Sequence, residues 1–270
     1  MSDAEVDLYR EFCLPGQIRA VPNGVDLEYF NNQQSVPARR DNQQSPTTQH
    51  APLTGSDEPS CIFVGALDYH PNVDGATWFC REVWPRIHAS CPRAKFLLVG
   101  RRPGAGVQRL SAVPGVEVVG QVPDVRPYLA RATVAIAPLQ IARGIQNKVL
   151  EAMAMAKPVI ATPQSLVGLR VVPDKHLLCA SNADQWQKLV LDLFTNKTGR
   201  QQLGRSARRY VEHNHGWDVC LQAFSALLDL EERQECFSQT PGTMPGHSSP
   251  SIAVVVSALR FISPDLTAVV

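Results

Sequence analysis

Short apolar runs alternate with amphipathic stretches through the central part of the chain. Each run carries apolar side chains at consecutive positions, which is typical of strands buried on both faces of a parallel sheet. We predict strands at residues 61–67, 96–100, 116–120, 134–139, 159–162 and 177–180. Such strands, separated by helices, indicate an α/β domain built on a doubly wound parallel sheet.

The stretches between the runs have helical periodicity. Helices are predicted at residues 75–90, 125–132, 184–196, 199–213 and 217–235. Another helix is predicted to begin near residue 145, because apolar side chains recur there at helical spacing, and we expect their common face to pack on the sheet. That face consists of Ile145, Val149, Ala152, Met153 and Ala156.

Composition divides the chain into four zones. Residues 1–30 combine a short helix, a strand near residues 18–21 and the turn dipeptide Asn23-Gly24. Residues 31–60 have too few large apolar side chains to offset the entropy of ordering, so we predict a flexible, disordered linker. Residues 61–235 form the dense domain, and residues 236–270 form a loose tail.

Charge and cysteine usage exclude several classes of function. The chain has 270 residues and a formal net charge of +1, so it has no overall field that would attract nucleic acid. Its seven cysteines include no CxxC pair, which indicates reduced thiols and argues against a disulfide framework or a zinc site. Because neither a signal peptide nor an apolar run of membrane-spanning length is evident, we expect a cytoplasmic protein without a membrane span.

Common nucleotide and metal motifs do not fit the sequence. The first predicted strand leads into GALDYHPN and not into the GxGxxG of dinucleotide-binding enzymes, and no P-loop sequence is present. These absences argue against a hydride-transferring dehydrogenase. His213 and His215 resemble a pair of metal ligands, but no third ligand lies nearby in the sequence, and we interpret them as a solvated helix end.

Glycine recurs where the predicted strands end. Gly65 lies within the first strand, and Gly100 and Gly120 close the second and the third. Ligands of open α/β sheets bind outside the carboxyl ends of the strands, where a residue without a Cβ lets the backbone approach them. Each glycine taken alone is better explained by a tight turn, but their repetition favours a ligand site.

Lys148 and Glu151 are two charged residues in a segment that otherwise has the pattern of a buried helix followed by a buried strand. A helix N-terminus carries partial positive charge, so a lysine in the first turn does not stabilise the isolated helix. A lysine is useful there if a diphosphate binds, and Glu151 would then accept hydrogen bonds from two ribose hydroxyls. The alternative is an i,i+3 surface salt bridge, and these residues alone leave both interpretations open.

The segment RGIQNKVLEAMAMAKPVIAT (143–162) resembles the donor-binding signature of the retaining glycosyltransferases of family 4. That family has the GT-B fold of two Rossmann-like domains, and its members carry E-x7-E continuing as EAMA-x3-PVVA, often with NK-x2-E. Further matches in the family's order lie at 62–65, 98–100, 118–120 and 135–138, and VPNGVDLEYF (21–30) resembles the link between the two domains. With GALDYHPNVDG, the segment is most similar to sugar transferases of exopolysaccharide and exosortase loci.

The resemblance implies a nucleoside diphosphate sugar as donor substrate, with no metal and no cofactor. It implies donor binding by Gly65, Asn72, Gly100, Gly120, Arg143, Gln146, Asn147, Lys148 and Glu151. Two departures bear on this set. Arg143 stands where the family has the first glutamate of its pair, and Ala66 and Pro71 replace the usual arginine and lysine after the first strand. We therefore expect Lys148 and Arg143 to compensate more of the diphosphate's charge.

The resemblance covers residues 2–230 and begins at the last helix of the family's N-terminal domain, which holds the acceptor site. We expect residues 1–30 to be a remnant of that domain, the acceptor-side catalytic residues to be absent, and a separate N-terminal half to be the missing partner. Two functions remain open. One is sugar transfer to a polysaccharide or lipid-linked acceptor, which is compatible with peripheral contact with the inner face of a membrane. The other is a non-catalytic nucleotide- or protein-binding module.

Overall fold

A computed structural model describes residues 21–31, 58–222 and 225 of the chain, and its centre is a six-stranded sheet. The strands are β1 Ser60–Val64, β2 Lys95–Val99, β3 Val116–Gly120, β4 Val134–Ala137, β5 Val159–Ala161 and β6 Leu178–Cys179. Each overlaps one of the six predicted strands. β1 begins at Ser60, one residue inside the segment that was predicted to be a linker.

All strands are parallel, in the order β3-β2-β1-β4-β5-β6. The chain builds outward from β1 to β3 and then continues on the other side of β1, which confirms the doubly wound topology. β1 pairs with β2 along its whole length, but it pairs with β4 only at Cys61↔Val134 and Ile62↔Ala135. Pairing between β1 and β4 therefore stops before their carboxyl ends.

Helices connect the strands over both faces of the sheet. They are α1 His70–Trp78, α2 Trp84–Ser90, α3 Ala105–Gln108, α4 Arg126–Arg131, α5 Asn147–Ala154, α6 Ala183–Thr195 and α7 Lys197–Asn214. A π-helical turn, Phe79–Val83, joins α1 to α2. Pro85 accounts for this turn, because proline has no N–H to donate and the helix rearranges around it. Short 3₁₀ turns occupy Arg109–Ala112 and Pro163–Leu166.

Two apolar cores cover the two faces of the sheet. The first is rich in aromatic rings, where Phe79 of the π turn contacts both Phe96 of β2 and Trp186 of α6. The second is mainly aliphatic and buries Val149 and Met153 of α5 against the strands. Of the apolar face predicted for this helix, Val149, Ala152 and Met153 are buried in α5 as expected and fix its orientation, whereas Ile145 and Ala156 lie outside the helix.

Residues 21–31 form a strap against the aliphatic core. The backbone N–H of Val25 donates to His215 O at 2.7 Å. The guanidinium of Arg208 in α7 donates to three carbonyl oxygens, those of Leu27 (3.2 Å), Phe30 (2.7 Å) and Ala154 (2.6 Å), so it ties the strap to the end of α5. The segment that resembles an interdomain link is thus fastened to this domain.

The predicted helices are present with shifted ends. The prediction at 75–90 starts too late, since α1 begins at His70, and the helix expected near residue 145 begins at Asn147. The short α3 was not predicted. Of the helix predicted at 217–235, residues 217–222 and 225 are helical. The rest of it, the strand near 18–21, most of the predicted linker and the predicted tail lie outside the described residues.

Candidate functional site

The carboxyl ends of β1 and β4 lie at the point where the strand order reverses. Ligands of doubly wound sheets bind at this point, because the loops that follow the two strands turn to opposite faces and leave a crevice. Residues 65–69 lead from β1 into α1, and residues 138–146 lead from β4 into α5. Side chains from the first turns of α1 and α5 therefore come together at this crevice.

Lys148 and Asn72 meet at this crevice. The Lys148 ammonium, in the first turn of α5, donates a 2.8 Å hydrogen bond to Oδ1 of Asn72, in the first turn of α1. Oε1 of Gln146 lies 3.4 Å from the same nitrogen. Burial lowers the pKa of Lys148 to about 8, although the nearby charge of Glu151 opposes the shift. The ammonium is thus desolvated, and its hydrogen-bond partners among the described residues are neutral amides.

Glu151 lies in the same helix and is mostly buried. Within the described part of the chain, its carboxylate makes no hydrogen bond and no ion pair within 4.0 Å. Burial raises its pKa to about 7, and the charge of Lys148 opposes this shift. The i,i+3 salt bridge that the sequence left open therefore does not form here. A desolvated carboxylate without donors is unfavourable, so a ligand that supplies hydroxyl donors would stabilise its charged form.

The N-terminus of α5 has no side-chain cap. The side-chain amide of Gln146 instead donates back to the carbonyl oxygens of Arg143 (3.1 Å) and Gly144 (3.2 Å) and so fixes the preceding loop. Unpaired backbone N–H groups at a helix start favour an anion. Arg143 is exposed, and its side chain has no hydrogen bond or ion pair to a described residue.

Gly65, Gly100 and Gly120 lie side by side after β1 and β2 and at the end of β3. The Gly65 N–H donates to Val99 O at 3.0 Å, and the Gly100 N–H donates to Gly120 O at 2.8 Å. A Cβ on Gly100 would lie 1.7 Å from Gly65 O, and Gly120 has a φ of +77°. The fold itself therefore requires glycine at positions 100 and 120. Together the three glycines also keep the carboxyl edge of the sheet free of side chains beside Lys148.

Asn147 makes a contact that the sequence did not reveal. Its Oδ1 accepts a 3.1 Å hydrogen bond from Nδ2 of Asn23 in the strap, and Oδ1 of Asn23 is buried without a partner among the described residues. Asn23 was predicted only as part of a turn. No local pattern relates it to a residue 124 positions away. Asn147, which is one of the nine predicted donor-binding residues, thus binds the strap.

Two buried hydroxyls that support the crevice were also missed. Thr162, directly after β5, donates to Leu139 O at 2.6 Å, and Ser165 donates to Ala137 O at 2.8 Å. These bonds fasten the loop after β5 to the end of β4. The only sequence signal is Thr162 before Pro163, which fits a cap of the short 3₁₀ turn.

The two histidines have separate environments. His213 is exposed, and its Nδ1 lies 2.6 Å from Arg209 O. His215 is only 5% exposed, and its ring nitrogens contact Asn23 O and the Tyr210 hydroxyl. The interpretation as a solvated helix end is therefore confirmed for His213 and wrong for His215, which is a core histidine that anchors the strap.

The described residues contain no cluster of three metal-ligating side chains and no helix long and apolar enough to cross a membrane.

Comparison with known proteins gives a family match for the central part of the chain. Residues 58–196, slightly more than half of the chain, match the family described as glycosyl transferases group 1. A GDP-mannose-dependent monoacylated alpha-(1-6)-phosphatidylinositol monomannoside mannosyltransferase from Corynebacterium glutamicum is 26% identical over 164 residues. The match covers 56% of this chain and 43% of the relative.

Solved structures show the same fold. Sucrose-phosphate synthase from Thermosynechococcus elongatus superposes with a TM-score of 0.61 and 22% identity, over 89% of this chain and 58% of its own. Anabaena HepE in complex with UDP and glucose superposes with a TM-score of 0.57 and 14% identity, over 77% of this chain and 55% of its own. The described domain is thus Rossmann-like, of the kind found in GT-B glycosyltransferases. The chain spans about half the length of the relatives that it matches.

Proposed function

We propose, from the premise that the chain belongs to the group 1 glycosyl transferases, that its described domain binds a nucleoside diphosphate sugar. The sugar is transferred to a polysaccharide or lipid-linked acceptor. The observation that supports this most directly is that two buried charged groups of opposite sign, neither with a charged hydrogen-bond partner among the described residues, lie at one point of the sheet. Lys148 is an ammonium bonded to the neutral Asn72 amide, and Glu151 is a carboxylate without a partner in the described residues.

Each part of the donor has a matching group in the crevice. The Lys148 ammonium and the uncapped start of α5 attract the diphosphate, because both offer N–H donors with positive charge. Glu151 accepts hydrogen bonds from the two ribose hydroxyls. Gly65, Gly100 and Gly120 leave room along the carboxyl edge of the sheet. Arg143 is exposed on the loop before α5 and provides further positive charge.

The finer assignment follows the sequence resemblance. We place the protein in family 4, with retention of configuration and without a metal ion. The cations and the helix start then stabilise the negative charge that develops on the leaving diphosphate. The similarity to exopolysaccharide and exosortase-associated transferases supports a role in surface polysaccharide synthesis, in the cytoplasm or at the inner face of the membrane. No cofactor beyond the donor substrate is part of this proposal.

Acceptor binding is assigned to a second, N-terminal domain. The relatives are about twice as long as the region they share with this chain. Holding donor and acceptor in reactive geometry accounts for roughly 7–11 kcal/mol of a barrier, and one domain alone supplies only the donor side. We therefore expect these 270 residues to bind nucleotide with little turnover, and to transfer sugar when an N-terminal half is fused or added in trans.

Titration calorimetry with UDP, GDP and their nucleosides tests the donor site. Glu151→Ala should weaken the binding of UDP or GDP by about 1.5–3 kcal/mol, which is the scale of a hydrogen bond to a charged group. Lys148→Ala should weaken the binding of the diphosphates far more than the binding of uridine or guanosine. The exposed Lys188 and Glu82 provide matched controls, whose alanine variants should bind like the parent. Unchanged binding in both site variants would refute the proposed donor site.

A turnover assay separates the enzyme from a non-catalytic binding module. Radiolabelled nucleoside diphosphate sugars are offered with a lipid-linked acceptor, with and without an N-terminal domain from the same gene neighbourhood. Transfer that depends on the added domain supports the proposal. Nucleotide binding without transfer under either condition favours the module, and efficient transfer by the chain alone contradicts the assignment of the acceptor site to a second domain.

A further inference from the structure

Asn72 uses both polar atoms of its side chain inside the protein. Its Nδ2 donates a 2.9 Å hydrogen bond to Ala66 O, and its Oδ1 accepts the 2.8 Å bond from the Lys148 ammonium. The residue is only 4% exposed. One atom of this amide is therefore anchored to the loop after β1, and the other determines where the lysine's charge is held. Little of Asn72 is accessible to a ligand in the crevice.

Gly65 leaves the space in which this pair lies. A Cβ on Gly65 would come within 2.9 Å of the Asn72 Nδ2 and 3.3 Å of the Lys148 Cε. The first distance is too short for a real Cβ contact, so a larger residue would displace the anchored amide. The glycine after β1 thus has a second explanation besides backbone approach to a ligand.

The chemistry of the Asn72 side chain matters as much as its position. Aspartate has almost the same shape as asparagine and would also accept a hydrogen bond from lysine. It would, however, neutralise the ammonium and repel an incoming diphosphate. An amide orients the ammonium and leaves its charge uncompensated.

We infer that Asn72 is a positioning residue, which holds the Lys148 ammonium at the reversal point of the sheet and keeps its charge available for the donor diphosphate. This inference rests on the proposed function and deepens it. Asn72 then contributes to donor binding only through Lys148, although the sequence resemblance counted it among the donor-binding residues. Gly65 contributes by making room for the pair.

The first test uses the protein without ligand. The amine of Lys148 is titrated by NMR on ¹⁵N-lysine-labelled protein, and its signal is identified by its loss in Lys148→Met. Asn72→Asp should raise the titration midpoint of Lys148 above about 8 and towards 10.5, whereas Asn72→Ala should lower it, since the stabilising acceptor is lost. A midpoint that is unchanged in both variants overturns the inference.

The second test is a double-mutant cycle with UDP and GDP in titration calorimetry. Asn72→Ala in the parent background should weaken the diphosphate about 5- to 20-fold and leave the nucleoside within about twofold. In the Lys148→Met background, the same substitution should change the diphosphate affinity less than about twofold. Equal losses in both backgrounds would show that Asn72 contacts the ligand itself and would overturn the inference. Asn72→Ser replaces Asn72→Ala if thermal unfolding shows the alanine variant to be misfolded.

The proposed function and this inference fail in different ways. If neither UDP nor GDP binds the parent, or if Lys148→Met binds them equally well, the proposed donor site is wrong. The amine titration still decides whether Asn72 controls Lys148 in that case. If Lys148 matters for the diphosphate and the cycle is additive, the donor site stands and the role of Asn72 is wrong.

Discussion

Lys148 and Lys157 lie at opposite ends of α5 and differ in what they bind. Burial lowers the pKa of both to about 8. Lys157 donates to the backbone carbonyl oxygens of Ala130 and Ala132 at the end of α4, the second at 3.0 Å. Lys148 donates to a side-chain amide at the carboxyl edge of the sheet. Burial and pKa therefore do not distinguish the two lysines, but their partners do.

The partners indicate which charge is available to a ligand. The last carbonyl groups of a helix have no intrahelical partner, and a lysine that satisfies them is committed to the fold. The neighbouring charges differ as well, since Arg200 disfavours the charged form of Lys157 whereas Glu151 favours that of Lys148. A buried lysine is thus a candidate binding group when its partners are neutral side chains at the carboxyl edge of the sheet.

The largest expected effect is a difference in the free energy of unfolding between variants of the two lysines. Lys157→Met leaves two carbonyl oxygens without their donor, and we expect it to lower the free energy of unfolding by about 2–4 kcal/mol. Lys148→Met is the matched control. It relieves the burial of a charge in the same way but leaves no backbone carbonyl oxygen without a donor, so it should change this free energy by less than about 1 kcal/mol. Urea unfolding of both variants measures the difference. Equal losses would mean that the lysines have the same role.

A glycine lies beside each lysine, and substitution by alanine should lower stability by different amounts at the two positions. A Cβ on Gly204 of α7 would lie 2.1 Å from Ala156 O, next to Lys157, and this backbone overlap should lower stability by about 2–3 kcal/mol. In Gly65→Ala the new Cβ would contact side chains instead. This variant should lose about 1 kcal/mol of stability and bind UDP or GDP severalfold more weakly. Thermal unfolding and calorimetry on both variants sharpen the comparison. A stable Gly204→Ala variant would contradict it.

Glu151 allows a test by pH. Its folded-state pKa of about 7 is raised above the ordinary 4.5, so the folded chain holds a proton that the unfolded chain releases between these values. Its contribution to stability is therefore present below pH 4.5 and is lost as pH rises through 7. Glu151→Gln should be more stable than the parent by about 1–3 kcal/mol at pH 8, and by less than about 1 kcal/mol at pH 5. Urea unfolding at both pH values measures this, and a gain that does not depend on pH would refute it.

The smallest effect concerns the strap beside Lys148. Asn23→Ala removes one hydrogen bond to Asn147 and also a buried oxygen without a described partner, so the net loss of unfolding free energy should be only about 0.5–1 kcal/mol. Glu28→Ala, in an exposed part of the same strap, is the control and should have no measurable effect. A loss above about 2 kcal/mol in thermal or urea unfolding would show that the strap supports the whole domain.

Much of the fold was predictable because its signals are local. A strand buried on both faces has to be apolar at consecutive positions, so all six strands were visible in the sequence. The spacing of Val149 and Met153 likewise predicted which face of α5 is buried. The predicted helix ends were less accurate. α7, for example, starts at a cap in which Oδ1 of Asn196 accepts a hydrogen bond from the Gly199 N–H, and such caps depend on single side chains.

The candidate site was predicted in part. The positions of Lys148, Glu151 and the three glycines follow from the strand and helix pattern. Their partners do not, because Asn72 is 76 positions from Lys148 and their contact arises only when β1 and β4 become neighbours. The burial of His215 was mispredicted for the same reason, as the strap that covers it comes from the other end of the described chain.

By itself the sequence determined the class of fold, the charged residues at the start of α5 and the glycines at the strand ends, because periodicity and strand ends are properties of neighbouring residues. Only the tertiary structure decided that Lys148 binds a neutral amide, that Glu151 has no described partner and that Lys157 is bound to helix α4. Desolvation and hydrogen-bond geometry depend on groups that are distant in sequence, and these groups meet only after the sheet has formed.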